Sequence, residues 1–454
     1  MSERIGAALP RRIGIALAVV PVLAVGLADA VIAARSDTST TAKPAAHAAA
    51  APQHVPVSAA DRAAAARSLA IRDLLKRRAH AVLHRSLAGF LATVDPAQPA
   101  FRSQQRREFA ATSAVPFALW YYDIDDSESL PANARTLRYD APTWAPASMV
   151  LHYEIRGFDE QPTSLQQYPT FVHRAEGWFF ASYDDYDAEG HQSDVDIWDF
   201  GALRVARAPG VLVLGHPSSS YLLSSVAQTA SFAIPRVTAV WGRDWPRRVV
   251  ILVPSTQKEL GRLVDDTGDL SQIAAVASAE VQDCPGPPDP VGNRVAINPP
   301  NWAKLSPLGQ RVVLTHELTH VASRADTGSC TPTWLVEGFA DYVGYQGSGV
   351  PVPVIAQELA ADVRAGRVPK HLPPDDDFAG SSKRLAQAYE GGWLACHLIV
   401  ERVGQAKLVR FYRAVGTSSD PPQQALASAV RTYLHMSMAQ FVSAWRAYLR
   451  SQLS

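Results

Sequence analysis

A chain of 454 residues is long enough for two ordinary domains and a tail, each with a core of its own. The apolar share of 47% and charged share of 19% exclude both a disordered chain and one wholly embedded in a membrane. Lys plus Arg and Asp plus Glu both total 43, and this balance gives no electrostatic reason to expect a nucleic-acid partner.

Residues 1–34 read as a signal or anchor segment. Arg4, Arg11 and Arg12 precede an uncharged apolar run from Ile13 to Ala28, and after Asp29 apolar residues continue to Ala34. The run lies between the length of a signal-peptide core and that of a membrane span. Either an uncleaved span holds the chain in the membrane, or cleavage near Ala28-Asp29-Ala30 releases it. In both cases the rest of the chain is expected outside.

Residues 35–60 are rich in Ala, Pro, Ser and Thr, too poor in large apolar side chains to offset ordering, and read as a flexible linker. From Asp61 to Phe90 apolar residues recur at helical spacing. Short β-branched and aromatic segments follow at Val115–Tyr122, Thr136–Tyr139, Met149–Ile155, Thr170–His173 and Trp178–Tyr183. Residues 61–205 thus read as a small α+β accessory domain, a helix laid across a curved antiparallel sheet. The architecture resembles cystatin-like and nuclear-transport-factor-like folds, which says little about function. Asp185, Asp187, Glu189 and Asp196 loosely follow a calcium-loop spacing, but an acidic solvated loop explains them better.

A second α+β unit, 211–454, starts with strands at Val211–Leu214, Val249–Val253 and Arg294–Ile297, and is mostly helical beyond Lys304. Of the three cysteines, Cys284 and Cys330 sit in turn-like contexts and are the expected pair if one disulfide forms, although three cysteines leave the pairing open. Cys396, in an apolar helical stretch, is expected as a buried free thiol.

The chemistry concentrates in Thr315-His316-Glu317-Leu318-Thr319-His320. On a helix the two histidines stand one turn apart and converge on one point, with Glu317 placed to accept a proton rather than to bind metal. A catalytic zinc needs a third protein ligand. Downstream, Glu337 and Asp341 lie one turn apart in an otherwise apolar helix (Trp334-Leu335-Val336-Glu337-Gly338-Phe339-Ala340-Asp341), where unpaired carboxylates are costly. A metal ligand with an acceptor for a histidine N–H accounts for such a pair.

These elements, His316-Glu317-x-x-His320 followed by Glu337-Gly338-x-Ala340-Asp341, resemble the gluzincin zinc metallopeptidases, closest to the peptidase MA-like group, over roughly Val211 to the C-terminus. The resemblance implies one zinc held by His316, His320 and Glu337, Glu317 as catalytic base, and Asp341 orienting His316. It also implies a peptide or protein substrate. By the family's placement, Tyr389 is the candidate to stabilise the oxyanion, with a packed aromatic as the plain alternative. His371 and His397 are weaker candidates. No Gly-x-Met-Glu-Asn string is present, which disfavours an aminopeptidase and points to an endopeptidase. Arg294–Ile297 takes the place of the sheet edge on which such enzymes pair an extended substrate, with an ordinary structural strand as the plain alternative. The rival reading is an anchored, non-catalytic binding or sensory protein with a degenerate peptidase domain.

Overall fold

A computed structural model describes the backbone of Arg12–Ile15 and residues 58–264, 270–280, 290–328 and 331–454. The chain mixes helix and sheet, with a helical C-terminal half. The strands in chain order are β1 Arg12–Ile15, β2 Phe117–Ser129, β3 Thr143–Trp144, β4 Pro146–Ile155, β5 Thr163–Gln167, β6 Thr170–Arg174, β7 Gly177–Ser182, β8 Arg204–Ala208, β9 Val211–Gly215, β10 Val249–Val253, β11 Ala275–Glu280 and β12 Val291–Ile297.

The N-terminal part opens on helix Ala59–Leu83, started by a capping box in which Ser58 and Asp61 satisfy each other's backbone N–H groups. The helix packs on β2 and β7. Two three-stranded antiparallel sheets replace the single curved sheet expected, in orders β2-β4-β5 and β3-β6-β7. Thr136–Tyr139, read above as a strand, is a 3-10 turn, because Asn133 caps it by accepting from the N–H groups of Arg135 and Thr136. The acidic stretch has structural work to do. Asp185 is buried, taking hydrogen bonds from Arg138 at 2.8 Å and the Tyr139 hydroxyl at 2.8 Å.

A third, six-stranded sheet runs in the order β1-β11-β12-β10-β9-β8 among the described residues. Strands β9, β10 and β12 are parallel, while β8 and β11 flank them antiparallel. Both faces are covered, which explains the unbroken apolar runs Val211-Leu212-Val213-Leu214 and Val249-Val250-Ile251-Leu252-Val253. Val213, Ile251, Val295 and Ala277 face the helical half. Leu214, Leu252, Ala296 and Val276 face the accessory domain, where Phe117, Trp120, Tyr153 and Trp198 pack in an aromatic cluster. Strand β12 is therefore interior, not the open edge expected of Arg294–Ile297; β11 lies outside it.

Arg294 ties the two halves together. Its guanidinium grips Asp159 with two bonds of 2.7 and 2.9 Å, and both side chains are buried. Arg294→Ala strands a buried carboxylate and is expected to cost about 3–5 kcal/mol. Chemical denaturation of the variant beside the parent checks this.

Strand β1 pairs antiparallel with β11, Ile15 opposite Ala277, so the start of the predicted signal or anchor run is extended. Its remainder, the linker to residue 57, and Cys284 and Cys330 with their expected disulfide lie outside the described residues. Among the described residues no helix is long and apolar enough to cross a membrane.

Candidate metal centre

Helix Pro307–Ser323 begins where Ser306 accepts the Gly309 N–H at 3.1 Å and Pro307 occupies the first helical position. From Val312 to Ser323 every residue is buried. Leu314 and Leu318 join the core while His316, Glu317 and His320 are equally enclosed, at 0%, 0% and 4% exposure. Three ionisable side chains with so little water need partners that offset their burial.

Helix Thr333–Tyr345 supplies them for the two histidines. Its first N–H, at Thr333, is capped by Asp375 at 2.9 Å. Close packing against helix Leu385–Val403 sets its position: a methyl group on Gly338 would lie 2.3 Å from the Gly392 carbonyl carbon, and one on Gly392 would lie 2.6 Å from the Trp334 carbonyl oxygen. Only glycine permits that approach. Gly338→Ala is expected to push the helices apart at the residue next to Glu337, costing about 1–3 kcal/mol. Thermal unfolding with and without zinc is the check, and the stabilisation by zinc should shrink as well.

Glu337 Oε2 lies 3.2 Å from His316 Nε2 and 3.4 Å from His320 Nε2, and the two Nε2 atoms are 2.9 Å apart. Metal–ligand bonds of about 2.0–2.2 Å at a tetrahedral angle separate donors by roughly 3.3–3.6 Å. The three donors thus stand close to the spacing a zinc ion needs, and they are the one group of three or more His, Cys, Asp or Glu among the described residues that could hold a metal ion. His316 Nδ1 meets Asp341 Oδ1 at 2.8 Å, which leaves Nε2 as the nitrogen turned toward His320 and Glu337.

The electrostatics follow from burial and these contacts. Burial works against charge on His316, yet Asp341 and Glu337 carry it well above the usual imidazole range. Burial likewise opposes charge on Glu337, but His320 and His316 overcome it and hold the carboxyl at about 2. His320 is lowered, chiefly by burial. Glu317 is pushed up to about 8 by burial and by Glu337, against the pull of His316. The Ala277 amide and Arg324 pull the other way, although neither Glu317 oxygen makes a well-formed hydrogen bond.

Tyr389 is buried, its ring centroid 6.3 Å from that of His316 and 5.2 Å from that of Phe378. His397 lies elsewhere, bonded through Nδ1 to the Tyr448 hydroxyl at 2.8 Å, and His371 is exposed beside the Leu372 carbonyl. Cys396 is a fully buried free thiol. Two features escaped the sequence reading. Strand β11, made of small residues, packs on the His316 helix, and Arg324 is buried one turn beyond His320. The continued i+4 spacing from His316 through His320 to Arg324 was the available signal for the latter.

No protein-family model and no curated protein matches the chain. Among solved structures it is similar to an M1 zinc metallopeptidase from Deinococcus radiodurans, at 15% identity and a TM-score of 0.31, over 56% of this chain and 53% of that one. A two-domain M1 zinc metallopeptidase variant bound to L-arginine gives 15%, 0.32, 56% and 53% for the same quantities. Native yeast LTA4 hydrolase gives 16%, 0.32, 55% and 39%. The chain spans about half the length, or less, of these proteins.

Proposed function

We propose that this chain is a zinc-dependent peptidase. The observation that carries the reading is the convergence of His316 Nε2, His320 Nε2 and Glu337 Oε2 within 3.4 Å of one another, all three residues being buried. Two imidazoles and one carboxylate suit zinc and leave its fourth position for water or substrate. Zinc held there supplies a Lewis acid that polarises a carbonyl and makes water a better nucleophile near neutral pH.

The chain's own residues do the rest. Asp341 fixes the ring of His316 and its tautomer. Glu317, with both oxygens unpartnered, takes the proton of the attacking water and hands it to the leaving amine. Tyr389, beside His316, donates its hydroxyl to the developing oxyanion. The basic and then apolar segment 1–34 exports the enzyme, and segment 211–454 carries the active centre behind an accessory domain. The chain lacks the Gly-x-Met-Glu-Asn grip on a substrate's amino terminus, so attack falls within a peptide or toward its carboxyl end.

The test is hydrolysis of a mixed peptide library followed by mass spectrometry. Cleavage should stop when a chelator removes the metal and return when zinc is restored. Cleavage that persists through complete metal removal would refute the proposal.

A further inference from the structure

Helix Pro307–Ser323 runs into the 3-10 turn Arg324–Asp326, so Arg324 stands one turn beyond His320 and two beyond His316. Its side chain is 3% exposed. Nη2 donates to the Ala277 carbonyl at 3.1 Å, whereas Nε and Nη1 are buried without a hydrogen-bond partner. A guanidinium enclosed with two idle donors is expensive, and native proteins keep such groups where something binds them.

Ala277 links this arginine to the proposed catalytic base. Its carbonyl receives Arg324, and its amide approaches Glu317. Arg324 forms no ion pair among the described residues and feels the Glu317 and Glu337 carboxylates only through space, so two of its donors and both Glu317 oxygens are left without a hydrogen bond around the same strand residue. Arg324 follows His316 and His320 at the same four-residue spacing, so the helix turns it toward the side on which the two histidines converge.

The chemical complement of this pair carries an N–H for Glu317 and, a few bonds away, an anion for a guanidinium. The leaving half of a peptide has that form when a carboxylate follows the scissile nitrogen. We infer that Arg324 receives a substrate carboxylate on the leaving side of the cleaved bond. The enzyme's substrates are then peptides bearing an α-carboxylate or an Asp or Glu side chain there. Free Nη1 beside half-used Nη2 leaves the end-on fork that matches a carboxylate, a geometry lysine cannot reproduce. The inference rests on the peptidase reading above and narrows it.

The experiment uses the full-length, zinc-loaded chain and matched peptides. One series compares a free C-terminal acid with its amide. A second, amidated throughout, compares Asp or Glu with Asn or Gln after the scissile bond. One carboxylate-bearing member should be cleaved roughly 10- to 100-fold faster in kcat/KM, with the difference mainly in KM. Preference in the first series identifies the α-carboxylate, and preference in the second the side chain. Arg324→Lys should shrink the ratio. If it fails to fold, the parent enzyme's preference still decides. Hydrolysis without preference, or an Arg324→Lys loss equal across all peptides, would overturn the inference and leave the peptidase reading standing. No hydrolysis of any peptide by a zinc-loaded chain would overturn both.

Discussion

Glu317→Gln is expected to lower peptide hydrolysis by roughly 10²–10⁴-fold while leaving the fold and the zinc content unchanged. The carboxylate is fully buried, and neither oxygen bonds to another group. The amide therefore fills the same space, and what is lost is the negative charge facing His316 and Arg324 and the ability to take a proton. Because Glu317 is not among the three converging donors, the metal should stay. The comparison that matters is kcat against zinc per chain in the same preparations. Full activity in a zinc-loaded Glu317→Gln variant would remove Glu317 from the role of base.

The second large effect is expected on metal binding. Glu337→Ala removes the only charged ligand of the three, along with a carboxyl that the two histidines hold at about 2. Asp341→Asn keeps all three ligands and weakens only the acceptor behind His316 Nδ1, 2.8 Å away. An outer partner of this kind typically costs 10–100-fold in metal affinity, so Asp341→Asn should fall in about that range and Glu337→Ala well beyond it. Competition titrations against a chelator of known affinity rank the two variants. A smaller loss in Glu337→Ala than in Asp341→Asn would mean that Glu337 is not a ligand.

The local part of the site was legible because helix periodicity acts over four residues. His316 and His320 had to share a face, and Glu337 with Asp341 formed an acidic pair that an apolar helix does not tolerate without cause. What sequence could not give was long-range. The close approach of Gly338 to Gly392, 54 positions apart, follows from how two helices cross, and neither glycine shows this on its own. Strand β11, Ala275-Val276-Ala277-Ser278-Ala279-Glu280, has too few β-branched or aromatic residues to read as a strand. Its small side chains suit packing against the His316 helix. Missing it made β12 look like the sheet edge. In the accessory part, Thr136–Tyr139 has strand-forming residues, but the Asn133 cap outweighs that preference. Arg324 read as an ordinary basic residue closing a helix, since burial and idle donors appear only once Ala277 is in place above it.

The most direct test of the account is the zinc content of the purified full-length chain, by elemental analysis alongside a measure of folding. The geometry of His316, His320 and Glu337 predicts about one zinc per folded chain, lost in Glu337→Ala. A folded chain that takes up no zinc even when it is supplied in excess would contradict the metal centre. The peptidase reading would fall with it, leaving a binding protein on the same scaffold.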